Sequence, residues 1–425
     1  MKFNNKTLRA AVKEWLNDTS SAEATYGHIS SWDTSKVTDM SELFKNKIKF
    51  NQPIGDWDVS NVTNMGYMFS DAEAFNQPIG NWDVGNVTNM NNMFSDAEGR
   101  RKGRRKSAFN QDIGNWNVSN VSNMSRMFFD NQAFNQPIGN WDVSNVTNME
   151  SMFDKTDSFN QPISNWDVSN VTNMREIFAQ ATLFNQPIGN WDVSNVTDMS
   201  GMFSCTPCFN QPIGNWNVSN VTDMSDMFYS ASFNQPIGDW DVSNVTDMSS
   251  MFSDTEAFNQ PIGNWNVGNV TNMHNMFSDA EGGIRGCRSA FNQDIGNWDV
   301  SNVTNMHSMF YFATFFNQPI GNWDVSNVTE MSRIFEGATS FKQDIKNWNI
   351  IQDGDIEIEE HLSEPSGTED QLDQILDQKA IDYLDVLEKA LKKVELPGET
   401  SNFSEILSNW KDWKGKQSDI KKKDK

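Results

Sequence analysis

The sequence predicts an α/β repeat protein, a solenoid of stacked coils closed by helical segments at its two ends. Three observations predict it. Tryptophan returns in one slot at a nearly constant spacing, the residues around that slot recur almost verbatim, and the recurrence stops near both termini. Self-similarity at a period of roughly 20–50 residues marks architectures in which each unit buries its apolar face only against its neighbours.

The period is set by Trp32, Trp57, Trp82, Trp116, Trp141, Trp166, Trp191, Trp216, Trp240, Trp265, Trp298, Trp323 and Trp348, so 13 of the 16 tryptophans hold one slot. The steps are 24 or 25 residues, except for one of 34 and one of 33. "FNQPIGNWDVGNVTNMNNMF" at 75–94 returns as "FNQPIGNWDVSNVTNMESMF" at 134–153 and "FNQPIGNWDVSNVTDMSGMF" at 184–203. The two long steps are insertions after "SDAE", at 99–107 and 282–289, each in a repeat that carries "VGNV" and each preceded one repeat earlier by "GDW". These marks lie 183 residues apart and read as a block of seven repeats duplicated whole, growth that a nearest-neighbour architecture tolerates.

Within the repeat at 184–203 the apolar residues are Phe184, Ile188, Trp191, Val193, Val196, Met199, Met202 and Phe203. The Trp191-to-Val193 alternation is strand-like, and the spacing Val196, Met199, Met202, Phe203 is that of one face of a short helix. Pro187 and Gly189 punctuate the first half. Each coil is therefore expected to have an extended segment near "NQPIGNW", a turn at "DVSN", a one- to two-turn helix at "VTDMSGMF" and a return loop. Stacked coils would align like residues into ladders, with Trp57, Trp82, Trp141, Trp166, Trp191 and Trp216 in a core ladder.

The slot after tryptophan holds Asp in nine repeats and Asn in four (Asn117, Asn217, Asn266, Asn349). Asn keeps the hydrogen-bond acceptor and loses the charge, which suits a turn or cap and not a calcium ladder or an acid catalyst. The hydroxyl slot of Thr63, Thr147 and Ser122 is expected to cap the short helix. The recurring "NVT" also matches the N-glycosylation pattern, at Asn61, Asn145 and Asn195 among others, and is read as a by-product of the repeat.

Composition bounds the function. The net charge of −24 disfavours nucleic acid or an anionic membrane as the main partner. No apolar run is long enough for a transmembrane helix. The opening "MKFNNKTLRAAVKEWLND" lacks the apolar core of a secretory signal, and three cysteines make no disulfide framework.

The unit "WDVSNVTNM…MF…FNQPIGN", over residues 7–350, resembles the BspA-like leucine-rich-repeat family of surface proteins, abundant in mycoplasmas and found in large DNA viruses and their hosts. The opening "AVKEWLNDTSSAEATYGHISSWDTSKVTDMSELF" is similar to the entry segment of such arrays. The resemblance implies a right-handed, leucine-rich-repeat-like solenoid with a short parallel sheet on one face. It also implies adhesion or another protein-interaction role, with no catalytic, cofactor or metal residues to carry over.

The ends depart from the repeat. Residues 1–31 form an expected N-terminal cap, with Leu8, Ala11, Val12, Trp15 and Leu16 on one helical stripe. The solenoid of 13 repeats occupies 32–350, an acidic linker 351–370, and C-terminal helices with a basic tail 371–425. In the last segment Leu372, Ile375, Leu376, Leu384, Leu387, Leu391 and Val394 recur at helical spacing, for a helix that folds back, docks on a partner or enters a coiled coil.

Three features stand out from the repeat. The insertion places Arg100, Arg101, Lys102, Arg104, Arg105 and Lys106 in one loop of an acidic protein, a candidate grip for an anionic partner and also a nuclear-targeting-like run. "CTPC" (Cys205, Cys208) has redox or half-zinc spacing, but no second pair accompanies it; a loop substitution is the plain reading and a local disulfide the alternative. His274 and His307 hold the same slot in adjoining repeats, close enough to share a ligand, with no third ligand visible and two solvated histidines the plain reading. No nucleophile–base pair or phosphate loop stands out. The sequence thus points to a non-catalytic interaction rod at a cell or virion surface, with an intracellular scaffold as the alternative. The expected partners are a protein or glycan, a capsid lattice or a neighbouring rod, met through periodic rows of Asn, Gln and Ser.

Overall fold

The computed structural model describes residues 2–96, 106–279 and 289–348. The chain divides into two compact units, Met1–Leu362 and Ser363–Lys425. The described residues all lie in the first, so the acidic linker and the C-terminal helices fall outside them.

The first unit is a repeat solenoid. Parallel single-residue bridges connect each coil to the next, from Asp39↔Asn64 and Asn64↔Asn89 through to Asn305↔Glu330. Among the described residues helix is confined to the entry segment: α1 (Asn5–Asn17), α2 (Thr19–Tyr26) and a 3-10 turn at Ile29–Ser31. The helix expected at "VTDMSGMF" is absent from every described coil, and a one-residue-wide column of bridges stands in place of a sheet of extended strands. The column also lies at the residue before the first methionine, where helix was expected, and not at "NQPIGNW".

The hydrogen bonds explain the difference. In one coil the N–H groups of Met65, Tyr67, Phe69 and Asp71 donate to the carbonyls of Asn89, Asn91, Met93 and Ser95 in the next, at 2.8–3.0 Å. The intervening N–H groups of Met68, Ser70 and Ala72 turn back on Met65, Tyr67 and Phe69 within the coil, at 3.0–3.1 Å. Successive i→i+3 turns therefore alternate with intercoil bonds, and every backbone donor of this stretch finds an acceptor without a helix. The third residue of a turn such as Met65–Met68 takes a positive φ, as in a type II turn: Tyr67 at 58°, Arg126 at 55°, Ser151 at 50°, Gly201 at 60°. A second column of positive φ runs through Asp71, Asp130, Lys155, Gln180 and Cys205. Turns of this kind repeat apolar residues at a spacing of three, which is also the spacing of a helical face.

The remaining corners are turns too. Trp57 N–H bonds Ile54 O at 3.1 Å and Val62 N–H bonds Val59 O at 2.8 Å. The glycine of "PIG" is demanded by stacking. A Cβ on Gly214 would come within 2.5 Å of Pro236 O in the next coil, and the same contact recurs at Gly55 and Gly238. Ser164 breaks this rule inside the array. Lys346 stands in the last described coil, where no described carbonyl follows it.

The core is a set of side-chain ladders. Phe44, Phe69, Phe94, Phe128, Phe153 and their successors stack at 5.6–5.9 Å between coils. A second phenylalanine column packs against the first within each coil, for example Phe69–Phe75 at 3.9 Å. Trp57, Trp82, Trp141, Trp166, Trp191 and Trp216 are 3–4% exposed. Neighbouring indoles lie nearly parallel, Trp141–Trp166 at 6.4 Å and 1°. From Trp57 onward each indole N–H donates to the isoleucine carbonyl of the preceding coil at 2.9–3.2 Å, so the one polar atom of the ladder is satisfied as it is buried.

The entry segment closes the first coil. Asn4 caps α1 in a reciprocal box with Thr7, and Leu8, Ala11, Val12 and Trp15 are buried. Trp15 meets Trp32 edge-to-face at 5.8 Å, and Phe3 N–H bonds Asp33 O at 2.8 Å. Leu16, expected on the same stripe, is 38% exposed, since it sits about 100° round the helix from Trp15. Trp32 has no preceding isoleucine and donates instead to Gly27 O at 2.9 Å.

Candidate interaction surface

In the segment "DVSNVT" Val59 and Val62 are buried, while Asp58, Asn61 and Thr63 are exposed. Stacking copies this pattern from coil to coil and generates three exposed rows.

The aspartate row is built of side-chain turns. Asp142 Oδ1 accepts from the Ser144 N–H at 3.1 Å and hydroxyl at 2.6 Å. Asn117 Oδ1 makes the same pair of bonds with Ser119, at 3.2 and 2.8 Å, which is why Asp and Asn exchange in this slot. The serine hydroxyl and then its N–H hold the carboxyls of Asp142, Asp192, Asp241, Asp299 and Asp324 below the ordinary carboxylate range. The asparagine row uses one amide proton per residue: Asn61, Asn86, Asn145 and Asn195 donate from Nδ2 to the carbonyl of the preceding coil at 2.7–3.0 Å. The threonine row does likewise. Thr63 Oγ1 donates to Thr38 O at 3.2 Å and Thr147 Oγ1 to Ser122 O at 3.3 Å, so this hydroxyl links coils and caps no helix.

These bonds fix what the face offers outward. The threonine hydroxyls and one amide proton of each asparagine are engaged between coils, leaving the second carboxylate oxygens, the amide oxygens, the second amide protons and the threonine methyls. The "FNQP" asparagine and glutamine are engaged as well: Asn51 Oδ1 accepts from Asn76 N–H and Gln77 Nε2, both at 3.0 Å, and the motif repeats along the array. That row serves first to hold the stack together.

Of the basic insertion, Arg100, Arg101, Lys102, Arg104 and Arg105 lie outside the described residues. Lys106 Nζ is 3.4 Å from Asp130 Oδ1. Asp130 belongs to a run of three successive coils, Asp71, Asp96 and Asp130, that place aspartate in the second positive-φ slot or its equivalent. Burial, then the charges of Asp71 and Asp130, push Asp96 up to about 7. Its Oδ1 is buried with no hydrogen-bond partner among the described residues. Burial likewise raises Asp154 to about 6 against the opposing charge of Lys155. The sequence reading missed this column, although the acidic slots beside the basic insertion were its signal.

Cys205 and Cys208 are not bonded to each other, so the local disulfide is not formed. His274 and His307 are brought together, ring to ring, at 5.0 Å and 17°. Among the described residues no helix is long and apolar enough to cross a membrane.

The family described as "Mycoplasma protein of unknown function, DUF285" matches residues 12–102, 102–213, 180–286 and 283–366. No curated protein matches the chain in sequence. Among solved structures the chain is similar to a leucine rich cell surface protein from Faecalibacterium prausnitzii A2-165, with 12% identity over 72% of this chain and 82% of that one; the TM-score of 0.29 is too low to show a shared fold. The matched segments run through the whole array of tryptophan-centred coils, and the chain belongs to the DUF285, BspA-like repeat family.

Proposed function

We propose that this protein is a non-catalytic interaction module of a cell or virion surface, a right-handed, leucine-rich-repeat-like solenoid that binds a periodic partner through its Asp, Asn and Thr rows. The observation that carries this reading is that the three rows recur coil after coil with most of their donors already engaged, so the face offers mainly acceptors and methyls in fixed register. Side chains held by intercoil bonds lose little freedom on binding. An acceptor-rich, anionic face suits a repetitive partner rich in hydroxyl or amino donors, and a glycan polymer fits that chemistry better than nucleic acid or an anionic membrane. A single small substrate would use one coil and leave the others idle. The basic insertion adds a local contact for an acidic group on the same partner.

The test is binding of the purified chain to arrays of repeating polysaccharides and to cell-surface extracts. The triple variant Thr172→Lys, Thr197→Lys, Thr222→Lys changes three consecutive exposed positions. The reading expects saturable binding that the variant loses while circular dichroism shows it folded at the assay temperature, its melting temperature lowered only by the three exposed hydroxyl bonds it gives up. Binding indifferent to the triple variant, or turnover of a small molecule abolished by one point substitution, would overturn it.

A further inference from the structure

His274 and His307 hold a slot that serine fills in the flanking coils, at Ser249 and Ser332. The slot lies in the wall that joins one coil to the next. His274 O accepts from Ser250 N–H at 2.7 Å, and His307 O accepts from Asn275 N–H at 3.0 Å. Their own N–H groups are held by Asn272 Oδ1 at 3.1 Å and Asn305 Oδ1 at 2.9 Å. Two half-buried imidazoles are thus carried on adjacent rungs, their rings nearly parallel at 5.0 Å and 17°.

The surroundings of the pair suit neutral rings. His307 Nδ1 lies 2.6 Å from Ser332 Oγ, while its Nε2 has no partner among the described residues. His274 Nε2 lies 2.9 Å from Asn275 Nδ2, while its Nδ1 is buried with no hydrogen-bond partner. A neutral ring whose Nε2 accepts from the Asn275 amide satisfies that contact; a proton added to Nε2 would meet the amide hydrogens and lose the bond unless the amide turns. Two charged rings would set like charges 5.0 Å apart in a half-buried place. Among the described residues no carboxylate pairs with either ring. Asp247, in the coil before, accepts from Ser249 N–H, Ser249 Oγ and Asn272 Nδ2 at 2.6–3.0 Å. In the coil after stand Glu330, bridged to Asn305, and Arg333, paired with Glu336 at 2.9 Å.

We propose that the His274–His307 pair is an acid-sensitive joint: proton uptake by the stacked imidazoles weakens the contact between their two coils and opens the array there first. In a stack whose coils touch mainly their neighbours, one weakened interface divides the cooperative unit at that point. Burial, followed by the charge of His307, holds His274 below its ordinary value of 6.5, and the opposing pulls of the His307 backbone and Asp247 are outweighed. A histidine lowered in this way takes up its proton more readily unfolded than folded. The stability it contributes is complete above 6.5 and is lost as pH falls from 6.5 towards the folded value. Serine, in the same slot of the flanking coils, does not titrate, so the device is confined to this one interface.

Hydrogen–deuterium exchange of the full chain, resolved to single amides by mass spectrometry, compares protection at about pH 7.5 and about pH 5.5. The double variant His274→Ser, His307→Ser carries the residue of the flanking coils in both positions, and circular dichroism checks that it folds. Asp96 and Asp154, raised to about 7 and about 6, titrate in the same range, so the quantity read is the difference between wild type and variant. The joint predicts that acid removes wild-type protection at the Ser250 and Asn275 N–H groups before it does so at Glu176 and Gly201, which make the same intercoil bonds to Ser200 O and Ser225 O. The double variant should keep that protection, and its melting temperature should fall less between the two pH values. Equal loss of protection in both proteins, or wild-type loss that begins at Glu176 and Gly201, would overturn the joint. So would a pH dependence of melting that the double substitution leaves unchanged.

Discussion

Replacing Trp191 with alanine perturbs the core ladder where it is flanked by intact coils on both sides. The indole is 3% exposed, parallel to Trp166 at 6.4 Å and 5°, and 6.1 Å from Phe178. A buried aromatic side chain removes roughly 150–250 Å² from water, which at about 25 cal/mol per Å² is about 4–6 kcal/mol before relaxation. The alanine methyl keeps part of this, and truncations of large buried aromatics fall at about 3–5 kcal/mol. The substitution also strands Ile163 O, which accepts the indole N–H at 3.2 Å, and that loss belongs to the upper half of the range. Guanidinium unfolding of the full chain, followed by circular dichroism, measures the shift. Trp191→Phe should retain most of the packing and lose the hydrogen bond, at about 1 kcal/mol. Trp348→Ala should cost less than Trp191→Ala, because Trp348 has an indole neighbour on one described side only. A Trp191→Ala shift within about 0.5 kcal/mol, the size of a surface substitution, would refute a buried, hydrogen-bonded ladder.

Other substitutions probe other parts of the coil. Asp142→Asn should cost much less than Asp142→Ala, which loses about 1 kcal/mol by the same denaturation assay, because the turn needs the acceptor first and the exposed charge adds only a small part. The depressed carboxyls of Asp142, Asp192, Asp241, Asp299 and Asp324 contribute stability that is present above the unfolded value of 3.8 and lost as pH falls through their lower folded values, so acid melting curves should show it. Asp96 has the opposite sign: its folded value of about 7 lies above 3.8, so its ionisation removes stability as pH rises from 3.8 to about 7. Asp96→Asn should therefore raise the melting temperature more at about pH 8 than at about pH 4, and an equal effect at both would contradict the shift. Gly214→Ala should destabilise by about 1–3 kcal/mol, since its methyl meets Pro236 O, with Ser164 showing that a coil can shift to admit a small side chain.

The repeat period, the tryptophan slot and the turn at Asp142 were legible because each rests on residue identity recurring at a fixed offset. The turn-built wall was not. Val196, Met199 and Met202 recur every third residue in a helix and in a chain of i→i+3 turns alike, so apolar spacing cannot separate them. The discriminating signal lay in the slots between. Glu42, Tyr67, Asn92, Arg126, Ser151 and Glu176 take positive φ, and none is β-branched. Asn46, Asp71, Asp130, Lys155, Gln180 and Cys205 follow the same rule in the second column. A left-handed backbone tolerates polar and unbranched side chains and penalises Val, Ile and Thr, so their exclusion from two slots was readable although glycine stands there only at Gly201 and Gly337. The pairing of His274 with His307 was visible as a shared slot, whereas the unpartnered nitrogens depend on rotamers that no spacing encodes. The carboxylate column of Asp71, Asp96 and Asp130 was hidden because each residue alone reads as an ordinary turn aspartate.

The central claim is that the wall of each coil is made of turns whose alternate amides bond to the next coil. Scalar couplings transmitted across hydrogen bonds in the deuterated protein test it most directly. The account predicts cross-peaks from the amides of Met149, Ser151, Phe153 and Lys155 to the carbonyl carbons of Asn173, Arg175, Ile177 and Ala179, whose bonds span 2.8–3.1 Å. Couplings from these amides to carbonyls four residues earlier in the same coil would mean a helix, and would contradict it.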